Sequence, residues 1–143
     1  VVATLAATTA TLAARIGEPP GASSYLAGAV VAYSNEAKVE LLGVAAELIE
    51  RHGAVSPEVA EAMATGALNR FDADLGVGIT GIAGPDGGTE SKPVGLVFVA
   101  LDGAAGARVR RALYPGNRER IRYQATQAAL EMLRRGLLGL TPL

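Results

Sequence analysis

The chain has no cysteine, no tryptophan and a single histidine in 143 residues. Without cysteine there is no disulfide framework, no thiolate nucleophile and no zinc–thiolate site. His52 alone cannot build a multi-histidine cage, so no metal and no cofactor are expected. Neither sign of charge is in excess: 13 Lys and Arg stand against 14 Asp and Glu, a net charge of −1. That balance offers nothing to attract nucleic acid or an anionic membrane. No apolar run approaches the roughly 20 residues that cross a bilayer. No basic segment followed by a hydrophobic stretch and cleavage site opens the chain. A cytoplasmic protein is therefore expected, with no nucleic-acid and no membrane partner.

Aromatic residues make up only 4% of the chain, yet half of it is hydrophobic and 18 residues are glycine. The core must then be built from Ala, Val, Leu and Ile, with glycines letting backbones approach closely. This mix suits helices packed on a sheet and argues against disorder. The length fits one domain, residues 1–143.

Along the chain, Val1 to Leu5 is compatible with a strand, and Thr8 or Thr9 can cap a helix carrying Leu12 and Ile16. Gly17, Pro19, Pro20 and Gly21 end it. Ala27 to Tyr33 reads as a strand buried on both faces. Ser34 or Asn35 can cap a helix over Glu36 to Leu42, closed by Gly43, and a second piece covers Ala45 to His52. Ser56-Pro57-Glu58 is a strong helix start, followed by Val59, Met63, Ala67 and Phe71 on one face. Strands are expected at Asp74 to Thr80, Pro93 to Leu101 and Arg108 to Tyr114, the last two as a hairpin turning at Asp102-Gly103. A final helix, about Arg118 to Arg135, is capped near Asn117 and carries Ile121, Ala125, Ala128, Leu130 and Leu133. Strands alternate with helices first and pair locally later, which predicts an α/β domain of three layers, α/β/α, around a mixed sheet.

Three groups of residues can carry chemistry. The segment Thr80 to Thr89, TGIAGPDGGT, follows an apolar strand, and its glycines let backbone N–H groups approach a carboxylate or phosphate. A tight solvent-exposed loop with no ligand has the same pattern. It matches neither the P-loop nor the GxGxxG fingerprint. Tyr33 and Lys38 sit at a strand end and on the first turns of a helix. A lysine whose pKa is lowered by desolvation can activate a hydroxyl. The plainer alternative is a solvated helix lysine beside a tyrosine packed in a partly buried site. Lys92 and Arg118 flank elements whose ends can converge on one cleft, and arginine suits phosphate. Either can equally be a surface charge. His52, beside Gly53, reads as a helix C-terminal residue with no catalytic role.

The segments AGAVVAYSNEAKVELLGV, HGAVSPEVAEAMATGA, TGIAGPDGGT, KPVGLVFVAL and YPGNRERIRYQATQAAL, in this order, resemble the C-terminal domain of the CinA (competence/damage-inducible) proteins. That domain also occurs alone as nicotinamide mononucleotide deamidase. The resemblance runs from about Ala13 to Leu138. It implies a cleft for nicotinamide mononucleotide or a related small nucleotide. It also implies metal-free hydrolysis of the carboxamide to nicotinate mononucleotide and ammonia by a serine nucleophile. Tyr33 and Lys38 correspond to the tyrosine and lysine that assist that serine. Thr8, Thr80, Gly81, Gly84, Gly87 and Gly88 correspond to substrate-binding positions, and Arg118 to a basic residue near the phosphate.

The family's Ala-Glu-Ser-Cys-Thr-Gly-Gly falls on Thr4 to Ala10. The glutamate position holds Leu5, the serine position Ala6, and the two glycine positions Thr9 and Ala10; only Thr8 matches. The family domain opens with a further helix before its first strand, and that helix is expected to be missing here. An alanine methyl cannot attack a carboxamide, so the resemblance leaves two functions in view: an amidohydrolase-like domain, or an inactive nucleotide-binding or assembly domain. The apolar ending Leu137-Leu138-Gly139-Leu140 and the resemblance together imply a homo-oligomer.

Overall fold

The computed structural model describes residues 2–4 and 6–140, with side chains from residue 8 onward. The elements run β1 Val2–Thr4, α1 Ala6–Gly17, a 3-10 turn Ala22–Ser24, β2 Gly28–Val30, α2 Asn35–Leu42, α3 Ala46–His52 and α4 Pro57–Arg70. They continue as β3 Leu75–Gly81, β4 Leu96–Gly103, β5 Arg108–Leu113 and α5 Arg118–Leu137. One mixed sheet has the order β2-β1-β3-β4-β5. β1 is parallel to both β2 and β3, while β3, β4 and β5 are antiparallel to their neighbours.

Alternation along β3 and β4 divides the core into two faces. Val77, Ile79, Val97, Val99 and Leu101 pack with Leu12 of α1 and with Ile121, Ala125, Ala129 and Leu133 of α5. The opposite face sets Leu96, Phe98 and Ala100 against Ala60 and Ala64 of α4. Beside them Val30, Ala32, Leu42, Val44, Ile49, Val59, Met63 and Ala67 join α2, α3 and α4. The result is the α/β/α layering predicted from the sequence, with a mixed sheet at its centre.

Glycine sets how closely α4 lies on the sheet. A Cβ at Gly78 would overlap the carbonyl oxygen of Ala60, and one at Gly76 would overlap that of Ala64. These contacts also fix direction: α4 runs opposite to β3, so its N-terminus lies at the carboxyl end of that strand.

The helix ends follow their capping residues. Ser34 Oγ accepts from Ala37 N, Ser56 Oγ from Val59 N, and Asn117 Oδ1 from Arg120 N. Gly43 closes α2 in the left-handed region.

Three local expectations are corrected. α1 begins at Ala6, so Thr8 and Thr9 lie inside its first turns, buried, and cap nothing. β2 stops at Val30 although the apolar run continues to Tyr33, since its partner β1 ends at Thr4 opposite Val30. The hairpin turns at Gly103–Gly106, where Gly106 N donates to Gly103 O, and Asp102 stays in β4. Its carboxylate accepts from Thr65 Oγ1 at 2.6 Å, which ties the strand to α4, and from the adjacent Gly103 N within the strand.

Candidate active site

Strand register brings the candidate residues to one end of the sheet. Thr4 pairs with Val30 on one side and Gly78 on the other. Ala6 lies two residues beyond Thr4, Tyr33 and Ser34 three and four beyond Val30, and Thr80 and Gly81 two and three beyond Gly78. All of these lie at or just beyond the carboxyl ends of parallel strands, where ligands of α/β domains settle. α1, α2 and α4 start at this end. So does α5, whose far end meets the sheet at Leu101, as the closeness of Gly136 to that side chain shows. Four helix N-termini, each with a partial positive charge, thus face the same region.

Lys38 is the most constrained side chain there. It lies on the second turn of α2 and is only 4% exposed. Its Nζ donates to the carbonyls of Tyr33 at 3.1 Å and Ser34 at 3.3 Å. No described carboxylate forms an ion pair with it. Burial pushes its pKa below the ordinary lysine value of 10.5, and Glu36 offsets this only in part. Tyr33, by contrast, is 66% exposed. The plainer alternative of a solvated lysine beside a packed tyrosine is therefore reversed on both counts.

The depressed value has a measurable consequence. Between the folded value and 10.5 the unfolded chain holds more protons than the folded one, so this group's contribution to stability rises with pH through that window. Near neutrality the cost of burying the charge is still felt. Lys38→Met should then raise the melting temperature at pH 7 by a few degrees, about 1 kcal/mol, because the freed carbonyls belong to exposed residues and turn to water. That advantage should shrink as the pH approaches 10.5, which melts of both proteins across pH 6 to 10 would show. A lower melting temperature at pH 7 would mean that the two carbonyl bonds outweigh the buried charge.

The loop from Ile82 to Gly95 is tied down on both sides. Arg118 donates from its guanidinium to Gly84 O at 3.0 Å, joining the loop to the start of α5. Lys92 Nζ donates to His52 O at 2.6 Å, joining it to the end of α3. Thr89 closes it internally, with its N–H donating to Lys92 O and its Oγ1 accepting from Lys92 N. A Cβ at Gly88 would press on Val94 N at 2.8 Å, and Gly84 and Gly87 have φ of 75° and 87°. Those glycines are required by the way the loop folds on itself.

A sequence profile of the CinA C-terminal domain matches residues 2–137. The chain belongs to the CinA family. It is 63% identical over 129 residues to a CinA-like protein of Mycolicibacterium vanbaalenii, covering 90% of this chain and 31% of that one. It is 57% identical over 130 residues to a CinA-like protein of Mycobacterium tuberculosis, covering 90% and 30%. The chain thus spans about three tenths of the length of these relatives. Among solved structures, it superposes on the competence/damage-inducible protein CihA of Agrobacterium tumefaciens with a TM-score of 0.90 at 38% identity, over 93% of this chain and 82% of that one. A CinA superfamily protein of Escherichia coli gives 0.89 at 30% identity, over 94% and 78%.

Within this CinA domain the expected site residues divide into two groups. Tyr33, Ser34 and Lys38 form one bonded cluster, and Gly84, Gly87, Gly88 and Arg118 form the anchored loop. Thr80 joins neither: its hydroxyl is buried and donates to Ala54 O at 2.7 Å, on the α4 side of the sheet. Gly81 ends β3, where a Cβ would meet Leu96 O at 2.8 Å. Thr8 is buried in α1, and Thr9 Oγ1 is buried with no hydrogen-bond partner. Ala6 opens α1, and its side chain lies outside those described. Lys92 does not point a free charge into a cleft as the sequence allowed; it pins the loop. The main-chain carbonyls of His52 and Ala54, which receive Lys92 and Thr80, carry no signal in the sequence. No described helix is long and apolar enough to cross a membrane.

Proposed function

We propose that this domain binds a pyridine mononucleotide, with nicotinamide mononucleotide as reference ligand, and is a CinA-type amidohydrolase framework lacking its nucleophile. The observation that carries this reading is Lys38: a lysine buried without a carboxylate partner is costly to a fold, and its place just beyond the carboxyl ends of the parallel strands suits proton transfer. With a hydroxyl at position 6, the neutral amine would take the hydroxyl proton as the oxygen attacks the carboxamide carbon. The amine would pass that proton to the departing nitrogen, so that ammonia leaves an acyl ester on the hydroxyl, which water then hydrolyses to nicotinate mononucleotide and the free hydroxyl. With Ala6 no such attack starts, and only binding remains.

Calorimetry with nicotinamide and nicotinate mononucleotides, run beside an ammonia assay, tests this. Micromolar binding of either nucleotide with no turnover is expected. Robust turnover would show that another hydroxyl has taken the role, and absence of binding by both nucleotides would leave an assembly role.

In this reading Arg118 and the loop N–H groups receive the phosphate. Arg118→Ala should weaken mononucleotide binding about tenfold, the order of one lost charge-assisted hydrogen bond, and should remove most of its salt dependence. Thermal melts of the variant give the comparison. If the melting temperature falls and the dissociation constant does not change, Arg118 serves only to hold Gly84 and α5 together.

A further inference from the structure

We propose that a second anion site lies on the opposite half of the domain, between β5 and the C-terminal half of α5, and takes a single phosphate-sized oxyanion. β5 is an edge strand, and its register sets Arg108 opposite Leu101 and Arg110 opposite Val99. Leu101 and Val99 face α5, so both arginines lie on the α5 side. There they line a recess of about 40 Å³ with Leu101, Met132, Arg135 and Gly136. A recess of about 40 Å³ cannot enclose a nucleotide; a compact anion would sit at its mouth against the guanidinium groups.

Its charge is largely uncompensated. Neither Arg108 nor Arg110 makes a hydrogen bond or ion pair among the described residues. Both carboxylate oxygens of Glu131 accept from Arg134 at 2.8 Å. Arg135 Nε is 3.7 Å from Glu131 Oε1, and it is buried with no hydrogen-bond partner. The carboxylate of Asp102 is engaged by Thr65 of α4 and is not available here. Arg135 thus has an ion pair with Glu131 but no hydrogen bond at Nε, and as a residue lining the recess it adds a third guanidinium to those of Arg108 and Arg110. Arginine's planar fork suits an oxyanion.

Charges on an edge strand also deter unwanted strand pairing. That role needs only exposed arginines on β5; it gives no reason for a third guanidinium, that of Arg135, on a different element.

The test is titration of the whole chain with inorganic phosphate, and separately with ribose 5-phosphate, at ionic strength held constant with sodium chloride. Backbone amide shifts are the readout. Saturable shifts at residues 108–110 and 132–136 are expected, weakened at least fivefold in Arg110→Gln and in Arg135→Gln. Response to inorganic phosphate alone assigns a free anion; equal response to ribose 5-phosphate assigns the end of a phosphate monoester. Shifts that follow ionic strength alone, or that are unchanged in both variants, would overturn the site.

Discussion

Ammonia release from nicotinamide mononucleotide should stay at background for the chain as it stands. It should rise by at least roughly a thousandfold when Leu5→Glu, Ala6→Ser, Thr9→Gly and Ala10→Gly are made together. Removing the nucleophile of a serine hydrolase costs on the order of a millionfold in turnover, so even partial restoration is large. All four changes are made because, in the proposed reading, the family's residues at the turn into α1 are replaced together with the nucleophile. Thr9 puts a buried, unpartnered hydroxyl where the family has a glycine. Ala6→Ser alone is therefore expected to recover less. Adding Lys38→Ala to the four changes should return the rate to background, since it removes the group proposed to take the serine proton. A restored rate that survives loss of Lys38 would contradict the assigned role. Absence of any restored rate, with binding intact, would mean that the α1 turn in this chain does not bring position 6 to the carboxamide.

A large expected loss of stability lies away from the site. Gly78→Ala should lower stability by about 3 kcal/mol, roughly 10 °C in melting temperature, because the new methyl would overlap the Ala60 carbonyl oxygen. A flexible side chain could move aside; this obstacle is helix backbone with a neighbouring clash at Ala64 N, 2.7 Å from the same Cβ. α4 would have to lift from β3 and take Ala60, Ala64 and Met63, all fully buried, with it. Gly43→Ala is the contrast: nothing lies within 4 Å of its added Cβ, and only the positive φ of 65° opposes it. Its cost should be nearer 1 kcal/mol. Equal melting temperatures for the two variants would show that α4 adjusts more freely than this packing implies.

The layering was legible because hydrophobic period and punctuation agreed. Ser56-Pro57, Gly43 and Asn117 mark helix ends, and each does so in the structure. Turn chemistry misled where a tertiary partner competed: Asp102 has the residues of a hairpin turn, but Thr65 holds it in the strand. β2 was read too long because the apolar run that ends at Tyr33 outlasts the partner strand that could pair with it. In the candidate site, proximity in sequence was enough to group Tyr33 and Lys38 but not to tell which of them is buried. Burial is a property of packing: α2 turns Lys38 inward, while Tyr33, in the segment before that helix, stays in solvent. Arg118 and Lys92 both carried charge suited to a ligand. Their main-chain acceptors, Gly84 and His52, are 34 and 40 residues distant, a separation that no local pattern announces.

The central claim is a mononucleotide cleft at the carboxyl ends of β1, β2 and β3, and mapping of backbone amide shifts with nicotinamide mononucleotide tests it most directly. Perturbations are expected at residues 31–38, 80–92 and 116–120 and at the start of α1, saturating together with one dissociation constant. Perturbations confined to the outer face of α2 and α4, or absent at millimolar nucleotide, would contradict it.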